Sequence, residues 1–156
     1  MKFPKTIPVE RIEEYHTHYL GTIGKRNIWG QARKFWGYTT FVFTKPYSEI
    51  VGDWQDYRNE YAILHIFDKN GKHVETKHWF GGTTKQIDNV ALDRKLEEMI
   101  HELGEIKFED IKIELFQVEI DGVVFGLIPN EEFESIDLQP SSTISFSEPW
   151  DGSYDT

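Results

Sequence analysis

The chain has 156 residues, 27 acidic against 17 basic side chains, a formal net charge of −10 and no cysteine. Its length fits one hydrophobic core, so we expect residues 1–156 to form a single domain. The lack of cysteine excludes disulfide bonds, thiolate metal sites, iron–sulfur clusters and cysteine nucleophiles. The sequence has no apolar run of signal-peptide or membrane-spanning length. We therefore expect a cytoplasmic protein without membrane contact.

The charge is distributed unevenly along the chain. Residues 1–96 hold 15 basic and 11 acidic side chains, whereas residues 97–156 hold 2 basic and 16 acidic ones. A negative surface repels phosphates, so no nucleic-acid partner is expected. A positively charged protein partner fits this surface better, although such charge also serves solubility alone.

The first predicted elements are two strands of a long hairpin. Residues 15–23 and 35–43 are rich in aromatic and β-branched side chains, and a polar, glycine-containing stretch separates them. Residues 9–20 also carry apolar side chains at helical spacing behind Pro8, so a short N-terminal helix ending at Gly21 is an alternative.

Two further hairpins are predicted from their turns. Residues 60–67 and 72–80 flank an Asn-Gly pair, and residues 111–120 and 123–128 flank an Asp-Gly pair. In the second hairpin one alternating set of side chains is predicted to face the core: Phe116, Val118, Ile120, Val123, Phe125 and Leu127. The alternation changes phase near residue 115, which indicates a bulge or burial of both faces.

One amphipathic helix is predicted between these hairpins. Its apolar stripe consists of Leu92, Leu96, Met99, Ile100 and Leu103. Asp88 is placed to cap its start, and Gly104 to end it. Residues 135–139 and 143–147 form a weaker strand pair, and residues 148–156 are predicted to be an exposed tail. The predicted fold is α+β, a mostly antiparallel sheet of hairpins with one main helix on one face.

Histidine pairs are the candidate metal ligands. His16 and His18 point to the same face if they lie on a strand, and His65 and His78 share a face of their hairpin. A metal would need a further ligand to converge on either pair. No cofactor is otherwise predicted. No hydrolase, zinc-protease or kinase signature is present, so no catalytic residue is proposed.

The candidate binding residues lie in two segments. Asp53, Trp54 and Asp56 belong to a long loop, residues 45–59, that either recognises a partner or covers the sheet. The tail adds four more candidates: Glu148, Trp150, Asp151 and Asp155. Aromatic anchors surrounded by carboxylates suit a basic protein partner.

Three stretches carry a family resemblance: residues 35–43 (FWGYTTFVF), residues 61–80, which end in ETKHWF, and residues 144–156 (ISFSEPWDGSYDT). They resemble a loosely described group of small acidic proteins from Bacillus-like bacteria that is labelled formate hydrogenlyase regulatory protein-like. The resemblance implies a bacterial cytosolic protein. It transfers no catalytic or binding role to any residue.

Three functions are compatible with the sequence. The first is a protein-binding protein, such as an inhibitor or immunity-type protein for a basic partner. The second is a regulator that acts through protein contacts, as the resemblance implies. The third is a small metal-assisted enzyme that uses the histidine pairs. The sequence does not determine the oligomeric state.

Overall fold

The structure is a computed structural model that describes residues 3–11, 18–24, 32–140 and 144–154. In chain order the strands are β1 (Thr6–Val9), β2 (His18–Ile23), β3 (Arg33–Phe43), β4 (Arg58–Phe67), β5 (His73–Thr83), β6 (Ile106–Phe108), β7 (Ile111–Glu114), β8 (Gln117–Ile120), β9 (Val123–Asn130), β10 (Ser135–Gln139) and β11 (Ser145–Phe146). The helix α1 (Asn89–His101) lies between β5 and β6. Mostly antiparallel strands with one α-helix in the described residues confirm the predicted α+β class.

The strands form three antiparallel sheets. The central sheet has the order β5-β4-β3-β2-β6, a second has the order β11-β10-β9-β8, and β1 pairs with β7 alone. β4 and β5 join through the Asn70-Gly71 turn, where Gly71 has a φ of 87° that favours glycine.

The alternative of an N-terminal helix ending at Gly21 is wrong. Gly21 lies inside β2, which pairs with β3 on one side and β6 on the other. A Cβ at this position would collide with the carbonyl oxygen of Lys107, so the close approach of β6 requires glycine. Residues 12–17, which make up much of that predicted helix, lie outside the described residues.

Both faces of the central sheet pack against other elements. On one face α1 packs its buried stripe, which consists of Leu92, Leu96, Met99 and Ile100, against side chains that include Phe35, Ala62, Leu64 and Ile66. The Asp88 side chain accepts a hydrogen bond from the Val90 N–H and caps the helix as predicted. On the other face Trp36, Tyr38 and Ile63 pack against the two smaller sheets.

The phase change near residue 115 marks the point where the chain changes sheets. β7 ends at Glu114 in the two-stranded sheet, and β8 begins at Gln117 in the four-stranded sheet. The Leu127 N–H donates to the Phe116 carbonyl oxygen at 3.0 Å and holds the crossing point. All six side chains of the predicted core face are buried in, or packed against, the core on this side of the central sheet.

The predicted tail is exposed at Glu148, Asp151 and Ser153, whereas Gly152 is buried and Trp150 and Tyr154 are partly buried. The Trp150 ring meets the edge of the Phe3 ring, with centroids 6.2 Å apart, and the Tyr154 ring lies 5.3 Å from that of Phe146. The Glu10 N–H also donates to the Gly152 carbonyl oxygen at 2.9 Å. Aromatic burial and this backbone hydrogen bond therefore fold the segment back against the start of the chain.

The buried stripe of α1 predicts that two alanine substitutions on this helix lower the free energy of unfolding by different amounts. Replacing Leu96, which is buried, with alanine is expected to lower the free energy of unfolding by about 2–5 kcal/mol, because it leaves a cavity under the helix. Replacing Val90, which is 62% exposed, is expected to change it by no more than about 0.5 kcal/mol. Urea unfolding of both variants measures the difference, and equal effects would contradict this packing.

Candidate functional site

The helix leaves part of its sheet face uncovered. A helix of 13 residues spans about 20 Å, whereas an 11-residue strand such as β3 spans about 36 Å. Gly37 faces the helix side chains Leu96 and Ile100. Phe41 and Phe43 follow Gly37 at even spacing on β3, so they lie on the same face, further along the strand.

Four aromatic rings gather on this uncovered strip. The Phe43 ring centroid lies 6.1 Å from that of Phe41, 6.4 Å from that of Tyr47 and 6.3 Å from that of Trp54. Tyr47 is 73% exposed, and Phe43 and Trp54 are 37% and 36% exposed. We call Phe41, Phe43, Tyr47 and Trp54, together with Arg58, the aromatic patch.

Arg58 holds the aromatic patch together. Its guanidinium carbon lies 4.3 Å from the Phe41 ring centroid and 4.7 Å from that of Trp54, within the range of cation–π attraction. Its Nη2 donates to Glu60 Oε1 at 3.0 Å, and its Nε donates to Thr84 Oγ1 at 2.8 Å. The Thr84 hydroxyl lies 2.8 Å from the same Glu60 oxygen. Two planar hydrogen bonds and two rings therefore fix the orientation of the guanidinium.

The three predicted loop residues lie at or beside the aromatic patch. Trp54 begins a turn of 3-10 helix, Trp54–Tyr57, and belongs to the patch. Asp53 caps this turn by accepting a hydrogen bond from the Gln55 N–H at 3.0 Å. Lys85 Nζ lies 3.5 Å from an Asp53 carboxylate oxygen and 3.6 Å from one of Asp56, so both carboxylates have a partner within the chain.

Of the tail candidates, Trp150 lies on the opposite side of the central sheet. Trp150 packs against the core on the side away from α1. Hydrogen bonds from the Ser153 hydroxyl and backbone N–H lower the pKa of Asp151. Glu148 is exposed, and Asp155 lies outside the described residues. The two predicted groups of binding residues therefore do not form one site.

Sequence reasoning missed Phe41, Phe43 and Arg58 as patch residues. The available signal was the alternation of two phenylalanines at the end of a strand. The sequence placed these residues only on a strand, because it does not show where the helix stops covering the sheet. The pairing of Phe43 with Arg58 across β3 and β4 also needs the strand register.

The described pair, His65 and His78, does not form a metal site. His65 is fully buried, and both ring nitrogens are engaged: Nε2 lies 2.7 Å from the Tyr38 hydroxyl, and Nδ1 lies 2.7 Å from Thr76 Oγ1. His78 shares the face of His65 but is exposed on the edge strand β5. His16 and the side chain of His18 lie outside the described residues. Within the described part of the chain, no three His, Asp or Glu side chains are placed to hold a metal ion.

His65 belongs to a hydrogen-bonded chain that the sequence did not indicate. Thr76 Oγ1 also lies 2.7 Å from His73 Nε2, and the half-buried His73 ring stacks on Phe116 at 5.0 Å. Burial lowers the pKa of His73. Burial and the nearby His73 ring together lower the pKa of His65 well below its ordinary value. Burial also raises the pKa of Tyr38, so its hydroxyl stays protonated.

No protein-family description, curated protein or solved structure matches the chain. Among the described residues, no helix is long and apolar enough to cross a bilayer.

The geometry around Arg58 predicts that lysine does not replace it. Arg58→Lys keeps the positive charge but loses the planar contacts with two rings and the two-point hydrogen bonding, so we expect the free energy of unfolding to fall by about 1–2 kcal/mol. Arg94→Lys, on the exposed surface of α1, is the matched control and is expected to change stability by at most about 0.5 kcal/mol. Urea unfolding measures both variants, and a neutral Arg58→Lys would contradict the role of the guanidinium.

The buried histidines predict a loss of stability in mild acid. Burial disfavours the charged form of His65 in the folded state, and to a smaller degree that of half-buried His73, whereas the unfolded chain binds protons below the ordinary histidine pKa of 6.5. The stabilisation is therefore complete above pH 6.5 and falls as the pH is lowered, by up to about 1.4 kcal/mol per pH unit for the proton excluded from His65. Urea unfolding between pH 8 and pH 5.5 measures this slope.

Two variants test whether this pH dependence of stability comes from His65 and His73. His73→Gln removes one excluded proton and is expected to flatten the profile. His78→Gln, at an exposed position on the same strand, is expected to leave it unchanged. A wild-type profile that is flat from pH 8 to pH 5.5 would show that the buried His65 ring does not exclude a proton.

Proposed function

We propose that the chain is a non-catalytic protein-binding protein whose partner is positively charged and docks on the helix side of the central sheet. The observation that carries the proposal is the aromatic patch, which is ordered by Arg58 and partly exposed on the same side as an acidic helix. The proposal includes an inhibitor or immunity-type role. A regulator that acts through protein contacts would use the same surface.

The aromatic patch has the properties of a binding anchor. Aromatic and arginine side chains supply most of the affinity in many protein interfaces, because they bury large areas with little loss of side-chain freedom. Here the partner would find Trp54 already positioned against the Arg58 guanidinium and the Phe43 ring, with Tyr47 beside Phe43. A preorganised surface loses less entropy on binding than a mobile one.

The charge of the helix adds selectivity for a basic partner. The exposed surface of α1 and its C-terminal end carries the carboxylates of Asp93, Glu97, Glu98 and Glu102. The cations of the helix are Arg94 and Lys95. Opposite charge accelerates association and disfavours acidic competitors. In this proposal the antiparallel hairpins form a rigid platform, and the helix on one face supplies the charge.

A matched pair of tryptophan and phenylalanine variants tests the anchor. Trp54→Ala is expected to weaken partner binding at least tenfold, because it removes a central ring of the aromatic patch. Phe133→Ala is the control, since Phe133 is 72% exposed in the turn between β9 and β10, far from α1. The partner is first captured from lysate at low salt and identified by mass spectrometry, and its affinity for each purified variant is then measured by calorimetry.

The identity and salt dependence of the partner complete the test. A basic partner that is released at high salt and loses affinity only with Trp54→Ala supports the proposal. An acidic partner, or equal losses with the two variants, would overturn it.

A further inference from the structure

A second surface feature lies at the other end of the same sheet face. A shallow groove of about 300 Å³ separates the C-terminal half of α1 from the sheet edge formed by β2 and β6. It is lined by Tyr19, Glu97, Ile100, His101, Ile106 and Phe108. This volume is at the lower limit of small-molecule pockets, so the groove has room for one long side chain.

The floor of the groove is aromatic. The Phe108 ring lies 6.0 Å from the Tyr19 ring and 6.1 Å from the Phe35 ring, and it is still 40% exposed. The guanidinium of Arg11 lies 5.3 Å from the Phe108 centroid, so this ring already attracts a guanidinium of its own chain. The floor therefore has the chemistry that guanidinium groups contact in proteins.

One carboxylate, that of Glu97, lines the groove. Burial raises the pKa of Tyr19, and the negative charges of Glu97 and Asp93 raise it further. The region also holds cations: the Arg11 guanidinium lies 5.3 Å from the Phe108 centroid, and Arg94 and Lys95 lie on the same helix. The nearby cation Lys107 is paired with Glu109 at 3.3 Å. A cation that enters the groove would therefore meet Glu97 at its rim.

We propose that this groove binds an arginine side chain of the partner, with its guanidinium against Tyr19 and Phe108 and its charge beside Glu97. The inference rests on the proposed function, because it specifies a second contact for a positively charged partner. Arginine fits better than lysine, since its planar guanidinium stacks on aromatic rings and is more weakly hydrated than an ammonium group. The groove and the aromatic patch then contact the partner on either side of the acidic helix.

Nuclear magnetic resonance with two tripeptides tests the groove separately from the partner. The probe is Gly-Arg-Gly, and the control is the same peptide with citrulline, which has nearly the shape of arginine without its charge. Titrations run at low salt and pH 8. We expect Gly-Arg-Gly to shift the amide signals of Tyr19, Ile106 and Phe108, and the citrulline peptide to shift them at least fivefold less at equal concentration.

Two exposed glutamates supply the matched variants. Glu97→Gln is expected to weaken binding of Gly-Arg-Gly at least threefold, whereas Glu119→Gln, on β8 and away from α1, is expected to leave it unchanged. Shifts that are equal for the two peptides, absent at these three residues, or unaffected by Glu97→Gln would overturn the groove assignment. Trp54→Ala is expected to leave tripeptide binding unchanged. Failure of the groove is thus distinguishable from failure of the aromatic patch, which is measured with the partner.

Discussion

The central sheet has apolar side chains on both faces, so other elements must pack on each of them. The elements on the two faces differ in how much of the sheet they cover. On one face the smaller sheets supply side chains such as Phe125, Leu127 and Ile136, which extend the core over the strands. On the other face a single helix of 13 residues crosses strands of 10 and 11 residues. Because this helix is shorter than the sheet, the face continues beyond it. Both surfaces discussed above, the aromatic patch and the groove, follow from this difference in length.

An uncovered strip of aromatic side chains would ordinarily favour aggregation. Here Arg58 places a charged, hydrogen-bonded group between the rings of Phe41 and Trp54, and Lys85 pairs with two carboxylates at the border. The strip therefore combines apolar area with fixed polar groups. Protein interfaces commonly have this composition, an apolar centre with polar groups in defined positions.

The two histidines of the β4–β5 hairpin show how position decides chemistry. His65 lies on a strand with neighbours on both sides, and its ring is buried and hydrogen-bonded to Tyr38 and Thr76. His78 lies on the edge strand and is exposed. The sequence placed both histidines on one face of the hairpin, and the strand register agrees. It did not show that one of them is buried and the other exposed. The buried ring therefore serves the core in a neutral, hydrogen-bonded form.

The sequence by itself determined the local structure. Helical spacing of the apolar stripe, the cap at Asp88 and the Asn-Gly turn each depend on neighbouring residues, and the structure has all three. The sequence also shows the phase change in the alternation near residue 115, for which it offered a bulge or burial of both faces. In the structure the chain passes from one sheet to another at this point. The α+β class follows from such local elements. Three further properties depend on residues far apart in the chain. They are the packing of the smaller sheets on the central sheet, the packing of Trp150 against Phe3, and the contact of the Arg58 guanidinium with the Phe41 ring. Only the tertiary structure decided these, because periodicity and turn chemistry act over a few residues, whereas burial depends on which distant segment covers a given face.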